Sequence, residues 1–163
     1  MELDLIEYDI DPNVKRQVEN VLQNFLTKTS AKVVILVDDA GRIVSIKGGY
    51  YEETERDFLA TLISGIFGAA VEMGKILKME GLEVLQYESK SMDVIIKYIP
   101  PRFLLGVIVG KEVALGTVRL FLKDAGEAIE KILAGAKMVP VREIKIDVNE
   151  LEKKLSRILG GNQ

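Results

Sequence analysis

The segment of this sequence that comes nearest to a catalytic motif is Gly106–Glu112 (GVIVGKE), which is similar to a phosphate-binding loop. A true loop of this kind has a glycine, four residues, and then Gly-Lys-Ser/Thr, whose hydroxyl binds magnesium. Here the spacing between the glycines is one residue short, and Glu112 stands in place of the hydroxyl. Gly106 also lies inside an apolar run. We therefore interpret the segment as a strand that ends in a turn and a helix cap.

Two adjacent acids, Asp38 and Asp39, are a second candidate, either as metal ligands or as an acid–base pair. Adjacent residues of a strand point to opposite faces of the sheet, which separates their carboxylates. Aspartate followed closely by glycine is also an ordinary turn sequence. We interpret both residues as part of a turn.

Composition excludes most catalytic chemistry, because the chain has no cysteine and no histidine. Cysteine nucleophiles, thiolate metal sites, zinc hydrolases and the usual serine triads are thereby excluded. An enzyme would have to rely on lysine, tyrosine, carboxylates, or Ser/Thr with a lysine base, and no such motif is recognisable. We expect no catalytic residue, metal or cofactor, so an enzyme that uses lysine and carboxylates is the least favoured function.

Charge and hydropathy limit the partners and the location. The net charge is −3 and the two signs are interspersed, which disfavours a nucleic-acid surface. The longest uninterrupted apolar runs, Val33–Val37 and Phe103–Gly110, are too short to span a bilayer. The N-terminal sequence is acidic and lacks the positive region of a signal peptide. We expect a cytoplasmic protein without membrane insertion.

The elements that must position any site follow from periodicity and turn residues. They predict an α/β sandwich around one five-stranded antiparallel sheet, with a domain over residues 1–137 and an extension over 138–163. The predicted elements are a helix from Asp11-Pro12 to about Lys28, strands at Lys32–Asp38 and Arg42–Lys47, a long helix at Thr54–Glu80 stopped by Gly81, strands at Leu82–Glu88, Met92–Ile99 and Phe103–Val109, a helix at Val113–Leu133, an extended segment at Val141–Ile146, and a short final helix after a capping box at Asp147–Glu150.

The long helix is apolar over more of its circumference than contact with one sheet requires. We expect the excess, near Ile63, Phe67 and Val71, to be exposed in a monomer, beside a groove of small residues four apart. The predicted surface for a second copy or another partner is Ala60, Ile63, Ser64, Phe67, Gly68 and Val71. The alternative is a sheet-facing helix with ordinary apolar surface residues, in which the glycines relieve crowding against the sheet.

The final helix is the second candidate contact, because it carries Leu151, Leu155, Ile158 and Leu159 on one face. This face either docks on the parent domain or on another protomer, or it captures a partner in a groove.

The order of elements resembles that of the roadblock (dynein light-chain type) family. The resemblance rests on KVVILVDDAGRIVSIKGG, on LATLISGIFGAAVEMGKIL and on LLGVIVGKEVALGTVRLFL, and it covers about Val14 to Leu133. Within the family, the sequence is most similar to bacterial MglB-type proteins. The resemblance implies a profilin-like α/β sandwich that dimerises into a continuous ten-stranded sheet. Pairing would use the first strand after the long helix, with Leu82, Val84 and Gln86 at the dimer edge.

The resemblance also implies a Ras-like small GTPase as partner, since MglB-type members stimulate GTP hydrolysis by a GTPase of cell polarity. Other members are scaffold subunits, so a scaffold that does not accelerate hydrolysis is the alternative. Activation can use an inserted arginine, for which Arg56 and Arg102 are the candidates, or reorientation of the GTPase's own switch residues. Neither arginine has flanking residues that mark a finger, and we favour reorientation.

Overall fold

The computed structural model describes residues 2–136 and 138–160 of the chain and divides it into two compact units. The larger unit is Pro12–Ala136, and the smaller unit joins the two ends of the chain. The secondary structure elements, in chain order, are β1 (Glu2–Ile10), α1 (Pro12–Thr29), β2 (Val33–Asp38), β3 (Ile43–Gly48), α2 (Glu53–Ile76), β4 (Val84–Glu88), β5 (Met92–Ile99), β6 (Phe103–Gly110), α3 (Leu115–Ala134), β7 (Met138–Asp147) and α4 (Val148–Leu159).

The larger unit is built on a five-stranded sheet with the strand order β3-β2-β6-β5-β4, in which all neighbours are antiparallel. The predicted hairpin and the predicted three-stranded meander are therefore confirmed. Strand β2 lies inside the sheet, and all six of its residues are buried, as its continuous apolar run predicts for a strand covered on both faces. The predicted α/β fold with one five-stranded antiparallel sheet is confirmed, whereas its extension across a dimer stays a prediction.

Helices cover both faces of this sheet. Helices α1 and α3 contact each other and lie on one face. Their buried apolar residues recur at helical spacing and include Val18, Leu22 and Phe25 of α1 and Val118, Leu122 and Ile129 of α3. Helix α2 lies on the other face, where it contacts β2 and β6. One side of α2 therefore belongs to the core, and the rest of its circumference is available for other contacts.

Helix α2 ends at Ile76, so the prediction that it continues to Glu80 and stops at Gly81 is wrong. Lys78 adopts a left-handed backbone conformation with φ 56°. The backbone N–H groups of Lys78 and of the following residue donate to carbonyls of the last helical turn at 3.2 and 2.8 Å. This pair of bonds is the Schellman motif. Glycine is the usual residue at the left-handed position, and a lysine there gives no sequence signal.

The smaller unit, described by itself, pairs strand β1 with strand β7 in antiparallel fashion, from Glu2 opposite Asp147 onward. The register shifts beside Tyr8, which lies opposite Pro140. Proline has no N–H to donate, and an irregular position in a ladder accommodates it. Helix α4 follows β7 directly.

The sequence predicted the extended segment and the final helix of this unit, but not strand β1. The predicted domain over residues 1–137 therefore differs from the structure, which groups the N-terminal strand with the C-terminal segment. The predicted capping role of Asp147 lies outside the described side chains.

Candidate functional site on the long helix

The side of α2 that faces the sheet carries Ala60, Ile63 and Phe67, which are 0%, 4% and 6% exposed. They form one apolar cluster with buried residues of β2, β5 and β6. Gly106 leaves room for this contact, since a Cβ there would lie 2.9 Å from Cδ1 of Ile63. Phe67 stacks on Tyr98 with ring centroids 6.2 Å apart. This side of the helix is therefore part of the domain core.

The prediction that Ile63, Phe67 and Val71 form the exposed excess of the helix is wrong. Ile63 and Phe67 are buried, and Val71 is half-buried against the same cluster. Helical spacing correctly indicated two apolar arcs. The sequence interpretation exchanged the arc that faces the sheet with the arc that faces solvent, because both carry similar side chains. Ala60 indicates the correct assignment, since a small residue marks the closest approach of the helix to the sheet. In the single chain, Ala60, Ile63 and Phe67 have almost no surface left for a partner.

The exposed apolar arc of α2, here called the exposed face, lies on a different side of the helix. Its members are Phe58 (65% exposed), Leu62 (58%), Ile66 (40%), Met73 (58%) and Ile76 (83%). Single surface apolar residues are normal, but a contiguous patch of large ones marks an interaction site. None of these residues was assigned to a contact with a partner from the sequence, although their helical spacing was visible.

Two glycines of α2 stand beside open space. A Cβ added at Gly65 or at Gly68 would meet no other atom within 4 Å. The alternative prediction that they relieve crowding against the sheet is therefore wrong for these two positions. Close approach of another backbone, which was the other prediction for them, stays open.

An apolar cleft of about 120 Å³ separates the exposed face from the sheet. We call it the α2–sheet cleft. Its walls are Leu59, Leu62 and Ile66 of the helix and Tyr87, Val94 and Ile108 of the sheet. Tyr87 is 48% exposed although it stands on the sheet face that α2 covers elsewhere. The helix thus leaves part of the apolar sheet face uncovered.

Strand β4 forms the edge of the sheet next to this cleft, and β5 is its only strand neighbour among the described residues. Of the predicted edge residues, Val84 and Gln86 lie in β4, whereas Leu82 precedes the strand and packs against the core. Including Leu82 in the strand was therefore wrong. The Gln86 side chain accepts a hydrogen bond from Arg119 of α3. The outer edge of β4 offers backbone groups to which another strand can pair.

A second cleft, of about 230 Å³, lies on another side of α2, and we call it the Ser64 cleft. It brings together four of the predicted partner residues, Ser64, Phe67, Gly68 and Val71, with Tyr98 and Arg102. The Ser64 hydroxyl donates a hydrogen bond to the backbone carbonyl of Asp39 at 2.9 Å, which connects α2 to the β2–β3 turn. The structure thus divides the predicted contact residues between the core and this cleft.

The buried carboxylate of Asp38 organises the loops beside the Ser64 cleft. Its Oδ1 accepts hydrogen bonds from the N–H groups of Ala40 at 3.0 Å and Arg42 at 2.9 Å, and its Oδ2 accepts one from Arg42 Nε at 2.8 Å. The prediction that Asp38 and Asp39 are turn residues is confirmed. Arg102 lies 3.8 Å from Asp38 and 3.9 Å from Asp39, so its guanidinium is held between two carboxylates.

The segment Gly106–Glu112 is the end of β6 and the turn before α3, as the sequence predicts. The lysine of this segment, Lys111, contacts the buried carboxylate of Asp93 through its Nζ at 2.5 Å. A lysine that is paired with a buried carboxylate is not available to bind a phosphate.

The final helix presents its apolar residues to solvent. Leu151 and Leu155 are each 48% exposed, Ile158 is 76% exposed and Leu159 is 84% exposed. The predicted contact through Leu151, Leu155 and Ile158 stays a prediction.

Among the described residues, α2 is the one helix long and apolar enough to cross a membrane by length and composition alone. A core helix passes the same test, and α2 packs one side on the sheet.

Comparisons with known proteins agree with this architecture. A family model for the Roadblock/LC7 domain matches residues 17–109. An uncharacterised protein of Aquifex aeolicus is 35% identical over 161 residues, which is 98% of this chain and 99% of the relative. The solved structure of Myxococcus xanthus MglB is 26% identical with a TM-score of 0.68, over 72% of this chain and 95% of that chain. The gliding protein MglB of Thermus thermophilus is 23% identical with a TM-score of 0.70, over 77% of this chain and 95% of that chain.

Proposed function

Since this chain belongs to the Roadblock/LC7 domain family and is similar to MglB, we propose that it is a homodimer that binds a Ras-like small GTPase and stimulates its GTP hydrolysis. The MglB-type resemblance implies this activity, together with a role in cell polarity. In this proposal the protein acts in the cytoplasm as a regulator of the GTPase rather than as a catalyst with its own active site.

The observation that carries the proposal is the exposed face of α2 beside the open edge of β4. Five large apolar side chains, 40% to 83% exposed, would remain in water in an isolated chain. A second copy covers them if the two helices lie side by side while the β4 strands pair into a ten-stranded sheet. Backbone pairing and apolar burial then stabilise the same interface.

The GTPase is assigned to the Ser64 cleft and the adjacent surface of α2 around Gly68. This surface lies on a different side of the helix from the exposed face, so it stays accessible in the dimer. A Cβ added at Gly68 would meet no other atom within 4 Å, which leaves space for a switch segment to approach the helix backbone. A rigid binding surface of this kind would favour one conformation of the GTPase switch segments by binding it more tightly than the other.

This mechanism does not use an arginine finger. Arg102 is held near Asp38 and Asp39, and Nε of Arg56 is buried without a hydrogen-bond acceptor. An Arg102 guanidinium that lies beside two carboxylates would first have to leave them to reach a transferring phosphate. At saturating concentrations of this protein, we expect Arg56→Ala and Arg102→Ala each to preserve stimulation of hydrolysis, although Arg102→Ala should weaken GTPase binding because Arg102 lines the Ser64 cleft. Loss of stimulation with unchanged GTPase affinity would instead identify the substituted residue as a finger.

The direct test is single-turnover hydrolysis of GTP by a Ras-like GTPase from the same genome, with and without this protein. Faster hydrolysis supports activation. Binding without acceleration supports the scaffold alternative, and absence of binding refutes both. Gly68→Asp should lower GTPase affinity by about tenfold or more while the dimer persists, because the added carboxylate fills the space that a switch segment needs and loses hydration there. Leu120→Asp, at an exposed position of α3, is the matched control.

The final helix is tested separately by ending the chain after Asp147, which removes α4 and leaves the β1–β7 pair. Weaker GTPase binding would assign Leu151, Leu155 and Ile158 to the GTPase. Unchanged affinity with lower thermal stability would assign them to a contact within the protein's own assembly.

A further inference from the structure

The Ser64 cleft has an apolar floor and a polar rim. Its floor includes Phe67, which is 6% exposed, and Leu104, which is 4% exposed. The Tyr98 ring stacks on Phe67, and its hydroxyl donates a hydrogen bond to the Pro101 carbonyl at 2.7 Å, so this donor is already satisfied. The floor favours an apolar occupant, since a polar group there would lose hydration without gaining a partner.

The size of the cleft limits the occupant to a single side chain. Its volume of about 230 Å³ is below the roughly 300–1,000 Å³ of pockets that hold a whole small-molecule ligand. Its walls are also fixed in advance by the backbone of Asp39, whose carbonyl accepts from Ser64 and whose N–H donates to the carbonyl of Arg102, each at 2.9 Å. A side chain that enters such a preformed cleft therefore costs little ordering of the protein.

The charged side chains at the rim balance one another. Asp38 is paired with Arg42 at 2.8 Å. Arg102 lies 3.8 Å from Asp38 and 3.9 Å from Asp39. Two carboxylates and two guanidinium groups leave no net charge here, and a further carboxylate would be repelled by Asp39, whose side chain is 66% exposed. The rim therefore favours a neutral occupant.

The guanidinium of Arg102 carries hydrogen-bond donors that lack an acceptor. Its distances to the two carboxylates exceed that of a hydrogen bond, and its Nε is buried without a partner among the described residues. The side chain is 39% exposed, so a partner can still reach the group. A neutral acceptor that arrives with an apolar side chain would satisfy these donors, and every residue carries one in its backbone carbonyl.

Resting on the proposed function, we propose that the Ser64 cleft binds one large apolar side chain from a switch segment of the GTPase, and that Arg102 donates to the backbone carbonyl beside it. We call this residue of the GTPase the anchor. The open space at Gly68 lets the backbone of the anchor come close to α2. The GTPase is thus recognised at this cleft by a neutral apolar residue, not by an acidic one.

A double-mutant cycle between the two proteins tests the anchor. The probe is a Ras-like GTPase from the same genome, loaded with a non-hydrolysable GTP analogue, and each large apolar residue of its switch segments is changed to alanine. We expect one of these changes to weaken binding by about tenfold or more, since it removes a buried apolar side chain. Against Gly68→Leu, whose added side chain occupies the cleft, the same change should have an effect below about twofold. Gly68→Ala is the matched control, because it adds one methyl group and leaves the coupling in place.

The contact of Arg102 is tested by Arg102→Met, which keeps the length of the side chain and removes its donors. This substitution should weaken GTPase binding by about tenfold, because a hydrogen bond from a charged donor is lost. The loss should be nearly the same between about 0.1 and 1 M salt, since the acceptor is neutral and salt screens charge pairs most strongly. A loss that disappears at high salt would identify a carboxylate as the acceptor and contradict the neutral anchor.

The possible results separate this inference from the proposed function. If no Ras-like GTPase of the genome binds, both are overturned. A GTPase whose apolar substitutions act equally on the parent protein and on Gly68→Leu overturns the anchor and leaves the proposed function standing. The chain that ends after Asp147 tests another occupant. Tighter GTPase binding without α4, by about tenfold or more, would identify α4 as the occupant of the cleft and would also overturn the inference.

Discussion

Substituting two consecutive residues of α2, Leu62 and Ile63, should have opposite consequences. Leu62 is 58% exposed on the exposed face, whereas Ile63 is 4% exposed against the sheet. Leu62→Ala should weaken dimerisation and leave the fold of the single chain nearly unchanged. Ile63→Ala should destabilise the fold itself. Alanine is the best helix former, so neither substitution impairs the helix.

The magnitude of the Leu62 effect follows from its remaining exposure. Full burial of a large apolar side chain contributes roughly 1.5–3 kcal/mol, so burying the exposed 58% of Leu62 contributes roughly 1–2 kcal/mol per protomer. A two-fold dimer contains the contact twice, or roughly 2–3 kcal/mol, which is about 30- to 150-fold in the dimer Kd. Ile63→Ala removes a buried side chain, and its free energy of unfolding should fall by roughly 2–5 kcal/mol.

Sedimentation velocity over a dilution series gives the dimer Kd, and urea unfolding gives the stability. Unfolding is measured at matched concentrations, because dimerisation itself raises apparent stability. An unchanged Kd for Leu62→Ala, or a loss of stability as large as that of Ile63→Ala, would refute the assignment of the two sides of α2.

Substitutions at three further positions test the local structure, each by urea unfolding. Gly106→Val should destabilise the fold by roughly 1–3 kcal/mol, because its Cβ would lie 2.9 Å from Ile63 Cδ1, and an unchanged midpoint would contradict this packing. Asp38→Ala should cost roughly 1–3 kcal/mol, since the backbone N–H groups and the Arg42 side chain lose their acceptor, whereas Asp38→Asn keeps one acceptor oxygen and should cost less. Lys78→Gly should stabilise the protein by up to about 1 kcal/mol, because φ 56° strains any residue with a Cβ, and a loss of stability would argue against the left-handed conformation there.

Most elements of the larger unit could be predicted because their signals are local. The apolar run of β2 predicts burial on both faces, and the turn after Asp38 predicts the hairpin. Two features had no such signal. Strand β1 pairs with β7 from the opposite end of the chain, so nothing near Glu2 in sequence indicates its partner. The end of α2 depends on Lys78 in a conformation that lysine rarely adopts.

The sides of α2 could not be assigned from the sequence for a different reason. Periodicity gives the angle between two apolar arcs but not the direction of the sheet. Only the packing of Ala60 in the core cluster and the contact of Ile63 with Gly106 fix that direction. The predicted groove of Ala60, Ser64 and Gly68 is not one surface, because Ala60 belongs to the core, whereas Ser64 and Gly68 line a cleft.

The composition of α2 is explained by the number of surfaces that one helix must serve. A helix that packs on a sheet needs one apolar stripe, and the remaining circumference is usually polar. In α2 a second apolar stripe, the exposed face, raises the mean hydropathy to that of a membrane span. The core stripe argues against such a span, because Ile63 and Phe67 are already committed to the sheet. Contact with a second protein surface accounts for the exposed face. The open space at Gly65 allows a neighbouring helix to come close. The apolar excess of this helix and the open space at Gly65 are both what the proposed homodimer requires, which is close contact with another copy of the chain.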